Sequence, residues 1–187
     1  MKTLLLAALL ALATLVSTPG AVLAQDQGKT EAAKLASESQ AALQKLTSSV
    51  PLAAELQKTA VAILVFPSIT KAGLGIGGQY GEGTLLKKGT AAAYYKTTGA
   101  SFGLQAGGQK YGYAMFFTSP KAVSELDNAN GFEVGVGPSV VVVDEGMGKS
   151  ATTKTLKDDV YAFIFGQSGL MAGVGVQGNK IKKITPK

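Results

Sequence analysis

The side chains of this 187-residue protein that could do chemistry are few in kind. It has no histidine, cysteine or tryptophan, and all 18 of its basic residues are lysine. The commonest general base, the soft metal ligands and the thiol nucleophile are therefore missing, so catalysis could draw only on Ser/Thr, Lys, Tyr and carboxylates. The nearest thing to a polar cluster at a motif is Lys71, Tyr80 and Glu82, which flank a glycine-rich block. Tyr80 and Glu82 alternate with Gly81 and Gly83, a pattern that equally suits side chains on a sheet surface. The pairs Asp144-Glu145 and Asp158-Asp159 lack further ligands at metal spacing and read as charges at strand ends. No catalytic residue, metal or cofactor is assigned, and the chain reads as a non-enzyme.

Two nucleotide-like patterns fail on context. Gly73-Leu74-Gly75-Ile76-Gly77-Gly78 satisfies a dinucleotide fingerprint and follows the apolar run Val61 to Phe66. However, Pro67-Ser68 interrupts, no helical pattern follows, and no acidic residue lies about twenty positions on to hold a ribose. Gly148-Lys149-Ser150 resembles the end of a phosphate loop, but Val143 stands where the first glycine is needed.

What remains is lysine on surfaces. The net charge of +6 favours anionic partners through point charges rather than the bidentate fork of arginine. Lys29, Lys34 and Lys45 lie in a helical region, and Lys180, Lys182 and Lys183 alternate with Ile181 and Ile184 near the C-terminus. These six are the candidate lipid contacts; the plainer role for the last three is protection of a strand edge. Lys87-Lys88 before Gly89 reads as a solvated turn. Nucleic acid is excluded as a partner, because no basic helix or aromatic–basic interleaving is present.

The elements that must position these residues begin after a leader. Lys2, the apolar run Leu4 to Val16 and the small residues ending at Ala24 read as a cleaved signal peptide over 1–24, with the mature protein starting at Gln25. Export follows, to the periplasm or beyond, with attachment peripheral to a membrane. Residues 25–187 then form one domain, helical over 30–58 and β-rich over 60–184. With no cysteine, its core alone must hold it.

Thr30 reads as an N-cap for a helix to Leu46, and Pro51 starts a second helix toward Lys58. Strands are expected over 61–66, 72–80, 91–95, 101–106 and 111–117, with turns at Lys88-Gly89, Thr98-Gly99 and Gly107-Gly108. A short helix from Ser119-Pro120 to Asn130-Gly131 interrupts, strands resume over 131–136, 139–143, 160–165, 170–176 and 180–184, and 146–157 reads as a loop. Glycine alternates with apolar residues over 72–78, 101–108, 131–137 and 172–178. Each strand-interior glycine costs roughly 0.5–1 kcal/mol relative to alanine, so bare faces of this kind call for something packed directly on backbone. The fold class is α+β: a mainly antiparallel, glycine-rich sheet, strongly curled or closed into a β-barrel, with N-terminal amphipathic helices and one short inserted helix packed on it.

Phe66 to Gly83, with its Phe-Pro-Ser-Ile-Thr-Lys-Ala-Gly-Leu-Gly-Ile-Gly-Gly-Gln-Tyr-Gly-Glu-Gly order, resembles the first block of the SYLF domain, a family that includes yeast actin-patch regulators and many exported bacterial proteins. Ser101 to Gln109 and Phe165 to Val174 resemble later blocks in the same order, and the likeness runs from about Thr30 to Ile184. The resemblance implies lipid or membrane-surface binding, with actin binding in the yeast branch. In eukaryotic members lipid contact is associated with a basic amphipathic N-terminal helix; here Glu31 and Glu38 dilute Lys29, Lys34 and Lys45. Actin and phosphoinositides do not fit an exported protein, so the expected partner is an anionic phospholipid or membrane surface. The alternative is an envelope protein docked on the glycine-bare faces.

Overall fold

The computed structural model describes residues 19–127, 132–133, 140–143, 158–169 and 179–186. The expected loop 146–157, the strand 170–176, the helix stop at Asn130-Gly131, the Asp144-Glu145 pair and most of the leader lie outside these residues.

Helix α1 runs over Pro19–Ser49 and α2 over Pro51–Thr59. Thr30 is therefore inside a helix rather than capping one, because the Ala, Gln and Lys on both sides of it are strong helix formers. Val50 separates the two helices in extended conformation, with Pro51 in the first helical position, where its missing N–H costs nothing. Leu43 and Leu46 of α1 join Leu52 and Leu56 of α2 in one buried layer against Ile63, Val65, Phe116 and Phe163 of the sheet.

The sheet is built on one very long hairpin. Strand β1, Ala62–Lys87, pairs antiparallel with β2, Thr90–Phe117, along almost its whole length. Lys88 and Gly89 make the turn with both φ positive, 51° and 79°, the geometry whose twist matches the strands it joins. The other two expected turns are absent: Thr98 and Gly99 pair with Tyr80 and Gln79, and Gly107 and Gly108 with Gly73 and Ala72. The ladder passes through these glycines, and the Pro67-Ser68 interruption is absorbed as an irregularity between Phe66 and Ile69.

Irregularities here, between Leu74 and Ile76 and between Leu85 and Leu86 let the hairpin fold over on itself. A Cβ on Gly81 would stand 2.8 Å from Ile69 Cγ1 and 2.9 Å from Ser68 O; one on Gly83 would overlap Val65 O and stand 2.6 Å from Phe66 Cδ1. Gly81 and Gly83 thus receive the backbone of the same strand, whereas a Cβ on Gly78 or Gly108, within the alternating blocks, would have no neighbour nearer than 3.9 Å and one on Gly107 none within 4 Å. Ser39 of α1, fully buried, clamps this crossing: its hydroxyl donates to Val65 O at 3.3 Å, with Thr84 Oγ1 3.1 Å away.

Beyond β2 come α3, Pro120–Ser124, continued as a 3₁₀ turn over Glu125–Asp127, then β3 (Phe132–Glu133), β4 (Val140–Val143), β5 (Val160–Gly169) and β6 (Lys180–Ile184). Ser119 caps α3 by accepting from Ala122 N and donates to Asp159 at 3.0 Å, so Asp159 serves the junction of helix and strand. One edge of β2 carries β1; the other carries β6 at Tyr94–Thr98 and β5 at Gln109–Phe117. The order is β3-β6-β2-β5-β4, antiparallel except for the parallel β4–β5 pair. The fold is thus α+β around a six-stranded, mainly antiparallel sheet, and among the described residues that sheet is open rather than a closed barrel. Its inner face holds Phe66, Ile69, Tyr95, Tyr111, Tyr113 and Ile181 among others.

Candidate functional site

Alternation along the strands sorts the polar residues by face. Tyr95, Thr97 and Ile181 are buried on the inner face, so Tyr94, Lys96 and Thr98 of β2, and Lys180 and Lys182 of β6, belong to the outer one. Pairing across three strands then sets up rows: Tyr80, Thr98 and Lys180 in one, Glu82, Lys96 and Lys182 in the next. Residues directly opposite in such rows have Cβ atoms about 4.5–5.5 Å apart, and among the described residues Glu82 forms no ion pair with Lys96.

Lys183 goes the other way. Its Nζ pairs with Asp127 at 3.0 Å, and Tyr95 Oη donates to the same carboxylate at 3.1 Å. The lysine hydrogen bond, helped by that from Tyr95, holds the Asp127 carboxyl below the usual range against a smaller desolvation effect. Among the described residues, Lys29, Lys34, Lys45, Lys180 and Lys182 make no ion pair, so Lys183 is the engaged member of the six candidate lysines. Lys29, Lys34 and Lys45 are exposed on α1.

The glycine-block cluster is divided by the fold. Tyr80, half exposed, donates to Glu82 on the outer face, and this bond together with burial and the carboxylate charge pushes its phenol up to about 12. Lys71 is buried, two residues beyond Ile69 on the inner face and opposite Gln109. Near it Tyr111 Oη donates to Gln79 Oε1 at 2.7 Å, and Gln79 Nε2 donates to Asn179 Oδ1. Tyr80 and Glu82 are brought together; Lys71 is not brought to them.

Two clefts lie between the first half of α1 and the sheet. One, of about 560 Å³, has Glu31, Lys34 and Glu38 of α1 facing Tyr80, Glu82 and Lys96. The other, of about 880 Å³, is lined largely by Ala32, Ala91, Ala92, Ala93, Ile184 and Pro186. Lys96 was not singled out from the sequence, because only its register with Glu82 and Lys182 places it here. No described helix is long and apolar enough to cross a membrane, and no group of three acidic side chains among the described residues could hold a metal.

No curated protein is significantly similar to the chain. Residues 98–185 match the family model described as "Ysc84: Las17-binding protein actin regulator". That span contains the Ser101 to Gln109 and Phe165 to Val174 blocks, while the Phe66 to Gly83 block precedes it and is the strand paired to its start. Over residues 98–185 the chain is similar to the Ysc84 (SYLF) family.

Proposed function

We propose that the protein is a non-enzymatic binding module for anionic lipid or membrane surfaces of the cell envelope, reached by export of the chain from Gln25 onward. The observation that carries this reading is the arrangement of unpaired charge. Lys180 and Lys182 are exposed on the outer face beside half-buried Lys96, and Lys29 and Lys34 extend the same side on α1. Each basic group near an anionic membrane contributes about 1 kcal/mol, and the contribution falls away within a Debye length. The family description names a protein-binding regulator of actin, which supports a protein partner as the second reading. Such a complex would be insensitive to lipid charge.

Co-sedimentation with phosphatidylcholine vesicles, with and without phosphatidylglycerol, separates the two. The lipid reading expects binding only when phosphatidylglycerol is present, weakening as salt is raised. Equal and negligible binding to both vesicles at low salt contradicts it.

A further inference from the structure

Over residues 27–38, α1 buries no side chain fully against the sheet. From residue 27 its first fully buried side chain is Ser39, and the two clefts occupy the space before it. They share Ile184, Thr185 and Pro186 as a common wall. Each falls within the roughly 300–1,000 Å³ of small-molecule sites, and their chemistry differs sharply.

The smaller cleft carries both signs of charge. A purely anionic ligand would meet Glu31, Glu38 and Glu82, and a purely cationic one would meet Lys34 and Lys96. A group bearing an ammonium and a phosphodiester a few ångströms apart satisfies both. Its ammonium would sit against Glu82 and the half-exposed ring of Tyr80, an aromatic face beside a carboxylate. Its phosphate would sit against Lys96, one position along the same row, with Lys34 opposite on α1. The larger cleft, lined by four alanines, Ile184 and Pro186 together with Lys29, Tyr94 and Lys183, offers a mostly apolar trough to whatever leaves the shared wall.

We propose that the two clefts together hold one molecule of a zwitterionic phospholipid of the ethanolamine type, headgroup in the charged cleft and acyl chain in the alanine-lined one. This deepens the lipid reading above and rests on it: the outer lysines bring the protein to a membrane, and the clefts take up a single lipid. Capture is a separate event from attachment, because it depends on shape and on Glu82 rather than on net positive charge.

The test offers the purified protein vesicles containing acyl-labelled phosphatidylethanolamine at high salt, where attachment is screened. Vesicles are removed by flotation and label is counted in the soluble protein fraction. About one label per chain is expected, with at least about tenfold less phosphatidylglycerol captured, the loss that follows from forfeiting a charge-assisted hydrogen bond. Ala92→Trp, at an exposed position, and Ala32→Trp, at a half-buried one, fill the apolar cleft and abolish capture while low-salt attachment to phosphatidylglycerol vesicles persists. Glu82→Gln erases the preference for the ethanolamine head. Urea midpoints equal to the parent's identify the variants fit for comparison, and the exposed Ala92 variant stands if the other does not fold. No soluble label, capture untouched by Ala92→Trp, or binding of free phosphoethanolamine without any lipid capture overturns the proposal. Loss of low-salt attachment with capture intact would instead overturn the surface reading alone.

Discussion

Replacing Gly83 with alanine probes the way the long hairpin closes on itself. A methyl at this position overlaps Val65 O and stands 2.6 Å from Phe66 Cδ1 and 2.9 Å from Phe66 Cγ. The carbonyl belongs to a buried ladder and already accepts from Ser39, so it cannot turn aside. Overpacking of a filled core costs about 1–3 kcal/mol, and the backbone obstacle puts this site toward the upper end. Alanine recovers roughly 0.5–1 kcal/mol of the entropy that glycine loses on folding, leaving a net destabilisation of about 1–2 kcal/mol. Gly78→Ala is the matched control in the same strand: the nearest atom to its new methyl is Gly99 O at 3.9 Å, an ordinary contact. That variant gains the entropy without the collision and is expected to be stabilised by about 0.5 kcal/mol or more. Urea unfolding of both proteins reads the difference as opposite shifts of the midpoint at unchanged slope. A Gly83→Ala protein as stable as Gly78→Ala would refute the claim that Gly83 is there to admit the crossing backbone.

Ser39→Ala leaves Val65 O and Thr84 Oγ1 buried without the hydroxyl that joins them, and is expected to cost about 1–3 kcal/mol by the same urea assay. Burial raises the phenols of Tyr95, Tyr111 and Tyr113, Tyr111 to about 12. Raised acids hold their protons in the folded state, so this stability is complete below the ordinary value of 10.0 and is lost as pH climbs above it; phenolate absorbance should appear together with unfolding rather than ahead of it. Asp127 is depressed, so its share is present above its unfolded value and disappears as pH falls through the folded one; Asp127→Asn should flatten the acid side of the stability profile slightly, by well under about 1 kcal/mol because the pair is exposed.

Much of the framework could be read from the chain because its signals are local. The Lys180–Ile184 strand, the Pro51 helix and the Lys88-Gly89 turn stand where residue type and period place them. Thr98-Gly99 and Gly107-Gly108 carry equally good turn chemistry, yet both are held straight by partners in β1 that are distant in sequence. Local propensity could not reveal that register, nor that bulges rather than turns bend the hairpin. The site shows the same division. Period two alone separates Lys71 from Tyr80 and Glu82, and Lys182 from Lys183, since odd and even positions of a strand face opposite ways. The role of Lys96 needed the pairing of three strands, and Ser39, Gln79 and Asn179 became visible only once the hairpin and α1 were in place.

The central claim is that unpaired lysines on the outer face, and not net charge, attach the protein to anionic membranes. Lys182→Ala and Lys183→Ala remove the same charge from adjacent residues that the sheet turns to opposite faces, one beside Lys96 and the other bound to Asp127. Affinity for phosphatidylglycerol vesicles at low salt should fall about fivefold in the first variant, as expected for one basic group at a membrane, and stay near the parent's in the second. Equal losses in both, or no loss in either, would contradict the account.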